Sequence, residues 1–144
     1  MIRFTIPGEP AGKGRPRFSG GGQYMRTYTP KKTVDYEECV RACYNGVAKG
    51  FKFEDDKSLE MYIIAYFEIP KSANKKRTML MQHNAIRPTK KPDADNILKI
   101  IADALNKVAY KDDSQIVAVA VEKRYALHPK VEVIIKEAKL YEQE

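Results

Sequence analysis

The sequence has no long apolar run, and this absence limits where the protein can act. No stretch approaches the roughly 20 apolar residues that a membrane-spanning helix needs. The first residues, Met1-Ile2-Arg3-Phe4, also lack the pattern of a cleavable secretory signal. We therefore expect a cytoplasmic protein with no membrane partner.

Cysteine is scarce as well. The chain has 2 cysteines, Cys39 and Cys43, which lie one helical turn apart on a predicted helix. They form no CxxC pair and have no histidine at metal-binding spacing. Buried reduced thiols without chemistry of their own are therefore the favoured interpretation.

Acidic residues are missing from two windows, residues 10–34 and 71–92, although the whole chain has 19 acids against 26 lysines and arginines. Basic residues without neighbouring acids favour a polyanion as partner. The alternative is a well-solvated basic surface. The candidate contacts to a polyanion are Lys13, Arg15, Arg17, Lys75, Lys76, Arg77, Arg87, Lys90 and Lys91.

Both windows also lack the periodicity of regular structure, and we expect flexible loops at about residues 10–28 and 71–91. The Gly12-Lys13-Gly14 element resembles a loop that cradles phosphate. It lacks the third glycine of the dinucleotide fingerprint and the GK[ST] of a P-loop. It is therefore a weak nucleotide site, but it is compatible with a contact to a DNA backbone.

The remaining residues carry clear periodicities. Alternating or β-branched runs predict four strands, at residues 2–6, 59–69, 114–125 and 131–136. Helical spacing predicts one helix that starts at Thr29-Pro30, capped by the threonine, and ends near residues 46–50. A second helix is predicted over residues 93–108. A chain of 144 residues is too short for two comfortable domains, so we predict one α+β domain over residues 1–144, with a small mixed or antiparallel sheet and two main helices.

The second predicted helix begins with a cluster of acids. Asp93 follows a proline, where its side chain can cap the first turn. Asp95 and Lys99 are one turn apart on a polar side that also carries Asp103, and Asp112-Asp113 follows the helix. The opposite side is predicted to face the core through Ile97, Ile101, Ala104, Leu105 and Val108.

Carboxylates that lie close together resist ionising together, so a cation is needed to neutralise them. Mg²⁺ takes oxygen ligands and could polarise a phosphodiester, while Lys99 could stabilise the charge of the transition state. The alternatives are local. Asp93 could be only a helix cap, Lys99 could only pair with Asp95, and Asp112-Asp113 could be only a turn.

The same residues carry a family resemblance. In order and separation, three stretches resemble the D-x-D-N-L-x-K, D-A-L and D-D-x-Q signature of the RusA family of Holliday junction resolvases: Lys91-Pro92-Asp93-Ala94-Asp95-Asn96-Ile97-Leu98-Lys99, Asp103-Ala104-Leu105-Asn106 and Tyr110-Lys111-Asp112-Asp113-Ser114-Gln115-Ile116. The early Gly12-Lys13-Gly14-Arg15-Pro16-Arg17-Phe18 is similar to the phage-type branch. The sequence departs at Pro92, where the best-known pattern has an arginine.

The resemblance implies a RusA-like, homodimeric, magnesium-dependent endonuclease, bacterial or phage-encoded, that cuts four-way DNA junctions by paired symmetric incisions. It implies Asp93, Asp95, Lys99 and Asp113 as catalytic residues. The three aspartates would be the metal ligands, with Asp112 as a further candidate. The implied cofactor is Mg²⁺, with Mn²⁺ as a substitute, and no small-molecule cofactor is implied. Two alternatives stay open: a less selective metal nuclease on branched DNA, and a non-catalytic DNA-binding module.

Overall fold

The computed structural model of the chain describes residues 1–14, 17–21 and 26–140, with the side chains of these residues except 17–19 and 26–28. The elements follow one another as β1 (Ile2–Pro7), β2 (Arg17–Ser19), β3 (Arg26–Tyr28), α1 (Lys31–Ala48), β4 (Leu59–Glu68), α2 (Lys75–Gln82), α3 (Ala94–Ala104), a 3₁₀ turn (Asp113–Gln115), β5 (Ile116–Ala126) and β6 (Lys130–Glu137). The predicted α+β class and the four longer strands are confirmed.

Four strands form one mixed sheet in the order β1-β6-β4-β5. Strand β6 pairs antiparallel with both β1 and β4, whereas β4 and β5 pair in parallel. Parallel strands need a crossover connection, and here the crossover contains α2 and α3. The successive strands β5 and β6 are not neighbours, because β4 lies between them.

The core lies between the helices and one side of this sheet. Along β4, buried side chains alternate with half-buried ones, as expected for a strand with one side against the core. Helix α1 contributes Val40 and Tyr44, and the Tyr44 ring meets Phe4 of β1 edge-on at 5.6 Å between ring centroids. Helices α1 and α3 also contact each other, so α3 is held from two sides.

Helix α3 buries the predicted stripe. Ile97, Ile101, Ala104 and Leu105 are buried, and Ile100 joins them. The helix is shorter than predicted, since it ends at Ala104 and Val108 lies beyond it, half-buried. The chain then turns sharply, with Lys107 in the left-handed region at a φ of 66°.

Both basic windows contain regular structure that the sequence did not predict. Residues 17–19 and 26–28 pair as a two-stranded antiparallel sheet, and residues 75–82 form α2. Helix α2 is capped by Asn74, whose side chain accepts a hydrogen bond from the Arg77 N–H at 2.8 Å. Its one buried residue is Met81, so its sequence shows no apolar periodicity. The flexibility of these windows stays a prediction.

Helix α1 begins one residue later than predicted. Pro30 occupies the N-cap without a side-chain hydrogen bond, so the predicted threonine cap is wrong. The predicted end is confirmed, because Lys49 ends the helix in the left-handed conformation at a φ of 51°. Cys39 and Cys43 are free thiols, half-buried rather than fully buried. Within the described residues, no helix is long and apolar enough to cross a membrane.

Candidate active site

The polar stripe of α3 lines a cavity of about 310 Å³. Asp95, Lys99 and Asp103 follow one another a turn apart along the helix, and Asp113 joins them in the same cavity. The apolar part of the lining comes from α3 and β5, through Leu98, Ala102, Ile116 and Val119. Three of the four predicted catalytic residues therefore line one cavity, and their catalytic role stays a prediction.

A tight turn after α3 brings Asp113 back to this helix. Buried Tyr110 anchors the turn, because its hydroxyl donates a hydrogen bond to the Ala102 carbonyl oxygen at 2.6 Å. The Lys107 N–H donates to the Tyr110 carbonyl oxygen at 2.7 Å. Asn106 then fixes the backbone of the aspartate, since its Oδ1 accepts from the Asp113 N–H at 2.8 Å.

Asp103 and Asp113 are neighbours in the lining of this cavity. Burial is the largest cause that raises the pKa of Asp113, followed by a hydrogen bond with the Asp103 side chain and by the negative charges of Asp112 and Asp103. A hydrogen bond with the Asn106 side chain acts in the opposite direction on the same pKa. Because neighbouring carboxylates repel each other, a cation beside them would stabilise both charges.

A hard divalent cation fits the donors of this cavity. Carboxylate oxygens are ligands that Mg²⁺ prefers, and it is commonly held by one or two protein carboxylates together with substrate phosphates. In the part of the chain that the structure describes, no group of three or more histidine, cysteine or acidic side chains is arranged to bind a metal ion. Among the carboxylates that line the cavity, one or two would therefore hold the cation, and water and phosphate would complete its coordination.

Two of the predicted ligands lie at the ends of secondary structure. Asp93 is the exposed N-cap residue of α3, but its side chain makes no capping hydrogen bond, so that part of the prediction is wrong. The Asp112 carboxylate accepts a hydrogen bond from the Ser114 N–H at 3.1 Å and caps the 3₁₀ turn. Hydrogen bonds with Ser114 lower the pKa of Asp112. The cap is therefore one established role of Asp112, whereas metal binding by either residue stays a prediction.

Gln115 holds the 3₁₀ turn in place beside the cavity. Its Oε1 accepts hydrogen bonds from the backbone N–H groups of Lys111 at 3.0 Å and Asp112 at 3.3 Å. Its Nε2 donates to the carbonyl oxygens of Glu54 at 3.0 Å and Lys57 at 3.1 Å. The glutamine of the D-D-S-Q stretch therefore ties the turn that carries Asp113 to the loop before β4.

Six of the predicted DNA contacts are exposed in the second window: Lys75, Lys76, Arg77, Arg87, Lys90 and Lys91. The first three form the first turn of α2. The Lys90 ammonium also lies 5.6 Å from the centre of the Phe67 ring. Arg15 falls outside the described residues, and so does the side chain of Arg17.

Lys13 is placed differently from the other predicted contacts. Its Nζ lies 2.7 Å from Oε1 of Glu37 on α1 and 3.5 Å from Oδ2 of Asp103 on α3. Its backbone N–H donates to the Asn96 carbonyl oxygen at 3.1 Å. The lysine therefore lies between two helices, next to the acidic cavity.

Three residues of this region were not predicted to be functional: Glu37, Asp103 and Asn106. Asp103 carried a signal, because it continues the stripe of Asp95 and Lys99 by one turn. Asn106 stands at the end of a stretch that carries the family resemblance, although no role was predicted for it, and Glu37 carried no signal. Their contacts depend on the packing of α1 against α3 and on the turn after α3.

A larger cavity of about 480 Å³ lies between residues 9–14 and the start of α1. Of its described lining residues, Glu9 is the one carboxylate. It therefore lacks the group of acids that distinguishes the smaller cavity.

Comparison with known proteins identifies the family of this chain. Residues 7–136 match the model of the family described as "Endodeoxyribonuclease RusA". The chain is also 39% identical over 142 residues to "Uncharacterized protein YqaN" of Bacillus subtilis (strain 168), which covers 94% of this chain and 96% of that protein. The family match includes every residue that lines the acidic cavity. The chain therefore belongs to the RusA family of endodeoxyribonucleases, which are Holliday junction resolvases.

Proposed function

We propose that the protein resolves four-way DNA junctions by paired, symmetric cleavage of phosphodiester bonds with Mg²⁺ as cofactor. One observation carries the proposal: Asp95, Lys99, Asp103 and Asp113 line a single cavity in a chain of the RusA family. Metal-dependent nucleases place carboxylates and a cation at the scissile phosphate. Mn²⁺, which also accepts carboxylate oxygens, is expected to substitute.

The proposed metal ligands are Asp95 and Asp113, with Asp93 at the start of the same helix and Asp112 as a further candidate. When bound, Mg²⁺ supplies charge neutralisation at the phosphate and a lower pKa for a coordinated water. Lys99 lies one turn from Asp95 and offers an ammonium group to the negative charge that grows on the phosphate oxygens. The side chains of Ile116 and Val119 add an apolar wall to the same cavity.

DNA binding is proposed to use the second basic window. Lys75, Lys76 and Arg77 are exposed on the first turn of α2, and Arg87, Lys90 and Lys91 are exposed on the way to Asp93. Because this segment leads directly into α3, phosphates bound along it would lie near the carboxylates. Arg15 and Arg17 of the first window are proposed as further contacts.

We also propose that the protein acts as a homodimer. A four-way junction needs cuts in two opposing strands, whereas each chain offers one acidic cavity of this kind among its described residues, so a two-fold dimer would supply the second. Strand β5 is an edge of the sheet, and Val117 and Val119 on it are 61% and 49% exposed. An apolar open edge is a surface at which a second copy could pair. Sedimentation of a monomer together with symmetric cutting would contradict this part of the proposal.

Cleavage of a labelled mobile junction tests the proposed function. The purified protein is incubated with the junction, and in parallel with linear duplex of the same sequence, with Mg²⁺ or with a chelator. The proposal predicts metal-dependent cuts at symmetric positions in two opposing strands of the junction and little cutting of duplex. Equal cutting of both substrates would indicate the less selective nuclease, and binding without nicking in any metal would indicate a DNA-binding module.

A further inference from the structure

The segment around Lys13 is fitted closely against two helices. A Cβ added at Gly12 would lie 2.9 Å from Cβ of Pro92 and 3.1 Å from Cβ of Asn96. A Cβ at Gly14 would lie 2.7 Å from Oγ1 of Thr33. Distances this short leave no room for a side chain, so both glycines are needed for the backbone to approach the helix starts. Their role here is close packing, which differs from the phosphate cradle that a Gly-x-Gly element suggests.

This packing directs the Lys13 side chain into the molecule. The ammonium group has two carboxylate partners, Glu37 at 2.7 Å and Asp103 at 3.5 Å. The side chain of Lys13 is 22% exposed, and those of Glu37 and Asp103 are 14% and 27% exposed. A lysine between two acids offers no net positive charge to a phosphate. The geometry therefore argues against Lys13 as a DNA contact.

The same ion pair connects α1 to the acidic cavity. The Lys13 ammonium lies 3.5 Å from Oδ2 of Asp103, and Asp103 lines the cavity beside Asp113. We propose that Lys13 is a positioning residue: held by Glu37, its ammonium fixes the Asp103 carboxylate and, through it, Asp113 in the cavity that binds the metal. This inference rests on the proposed function.

Removal of the ammonium group has a definite consequence. Glu37 and Asp103 would then be two partly buried carboxylates without their cation, and the Asp103 side chain would be free to turn away from Asp113. Groups that orient a metal ligand typically change metal affinity or activity by about 10- to 100-fold when they are removed. We expect a loss of this size for Lys13→Met, which keeps the apolar stem of the side chain.

The test separates positioning from DNA contact. Junction binding is measured without cleavage, in Ca²⁺ or a chelator, at several salt concentrations, for the wild type and for Lys13→Met, Lys13→Arg and Glu37→Gln. A lost phosphate contact lowers the slope of log K against log salt by about 0.9. Lys75→Met serves as the comparison for such a loss. Lys52→Met, an exposed lysine distant in sequence from both windows, controls for the change in net charge.

Two further measurements report on the cavity itself. One is the cleavage rate at saturating junction, and the other is the Mg²⁺ concentration at half-maximal thermal stabilisation of the protein. We expect Lys13→Met to keep the wild-type salt slope, to lower the cleavage rate about 10- to 100-fold and to need about 10-fold more Mg²⁺. Glu37→Gln should change the cleavage rate and the Mg²⁺ requirement in the same direction as Lys13→Met, but by a smaller factor. Lys13→Arg keeps the positive charge and should come close to the wild type in both.

The inference would be overturned if Lys13→Met reduced the salt slope of junction binding but cut a saturating junction at the wild-type rate. It would also be overturned if Glu37→Gln bound DNA more tightly and kept the wild-type Mg²⁺ dependence. If Lys13→Met does not fold, Glu37→Gln and Lys13→Arg decide the question by the same measurements. Failure of the proposed function has a different signature, since the wild type would then not cut the junction in any metal. The Mg²⁺ titration and the salt slopes would still test Lys13 in that case.

Discussion

Replacing Asn106 with alanine tests how the turn after α3 places Asp113. The Asn106 Oδ1 accepts the hydrogen bond of the Asp113 N–H at 2.8 Å. Alanine removes this bond and leaves the backbone N–H without this partner. Asp113 then keeps Asp103 as its neighbour in the cavity but loses the bond that holds its own backbone.

The size of the effect follows from burial. A buried donor without its acceptor costs about 1–3 kcal/mol, and the half-buried position allows water to replace part of the bond, so we expect a loss near 1 kcal/mol. For a domain of this size such a loss lowers Tm by about 2–4 °C. Cleavage should fall further, by about 10- to 100-fold, because Asp113 is displaced from the cavity.

Thermal unfolding and single-turnover junction cleavage are measured on the same preparation. Asn45→Ala, an exposed asparagine on α1, is the matched control and should change neither quantity by a comparable amount. A normal cleavage rate in an Asn106→Ala protein with lowered Tm would refute the reasoning. Asp113 would then reach its working position without this hydrogen bond.

Two other substitutions test the packing around the cavity. Gly12→Ala places a Cβ 2.9 Å from Cβ of Pro92 and should lower the free energy of unfolding by about 1–3 kcal/mol, measured by thermal unfolding. The control is Gly46→Ala on α1, where a Cβ would meet open space, and this change should stabilise the protein by about 0.5–1 kcal/mol. Tyr110→Phe leaves the Ala102 carbonyl oxygen without its donor and should lower the unfolding free energy by about 1–2 kcal/mol in denaturant, with junction affinity unchanged. An unchanged Tm for Gly12→Ala, or full stability of Tyr110→Phe, would contradict the close approach and the anchoring bond.

Strong periodicity made most of the fold predictable. The strands β1, β4, β5 and β6 and the apolar stripe of α3 each repeat at the spacing of their structure, and they form the core. Helix α2 was missed because Met81 is its one buried residue. The order of the sheet, with β4 between β5 and β6, depends on long-range pairing that local patterns do not carry.

The candidate site was predictable where one helix carries it. Asp95, Lys99 and Asp103 share a side of α3 by spacing alone, and the family resemblance selected Asp113 from the Asp112-Asp113 pair that follows the helix. The approach of Lys13 to Glu37 and Asp103 joins a loop to two helices across the fold, so no local pattern indicates it. Sequence reasoning predicted a DNA contact for this lysine because its charge, but not its partners, is visible in the sequence.

The central claim is that the cavity of Asp95, Lys99, Asp103 and Asp113 is the active site of a metal-dependent junction nuclease. Asp95→Asn tests it most directly, because the amide keeps the shape of the side chain but removes the anionic ligand. Junction binding in Ca²⁺ and cleavage in Mg²⁺ are measured beside Asp56→Asn, an exposed aspartate in the turn before β4. The claim predicts that Asp95→Asn binds the junction at least as tightly as the wild type and no longer cuts it. Asp56→Asn should bind and cut the junction like the wild type. Mg²⁺-dependent cutting by Asp95→Asn at the wild-type rate would contradict it.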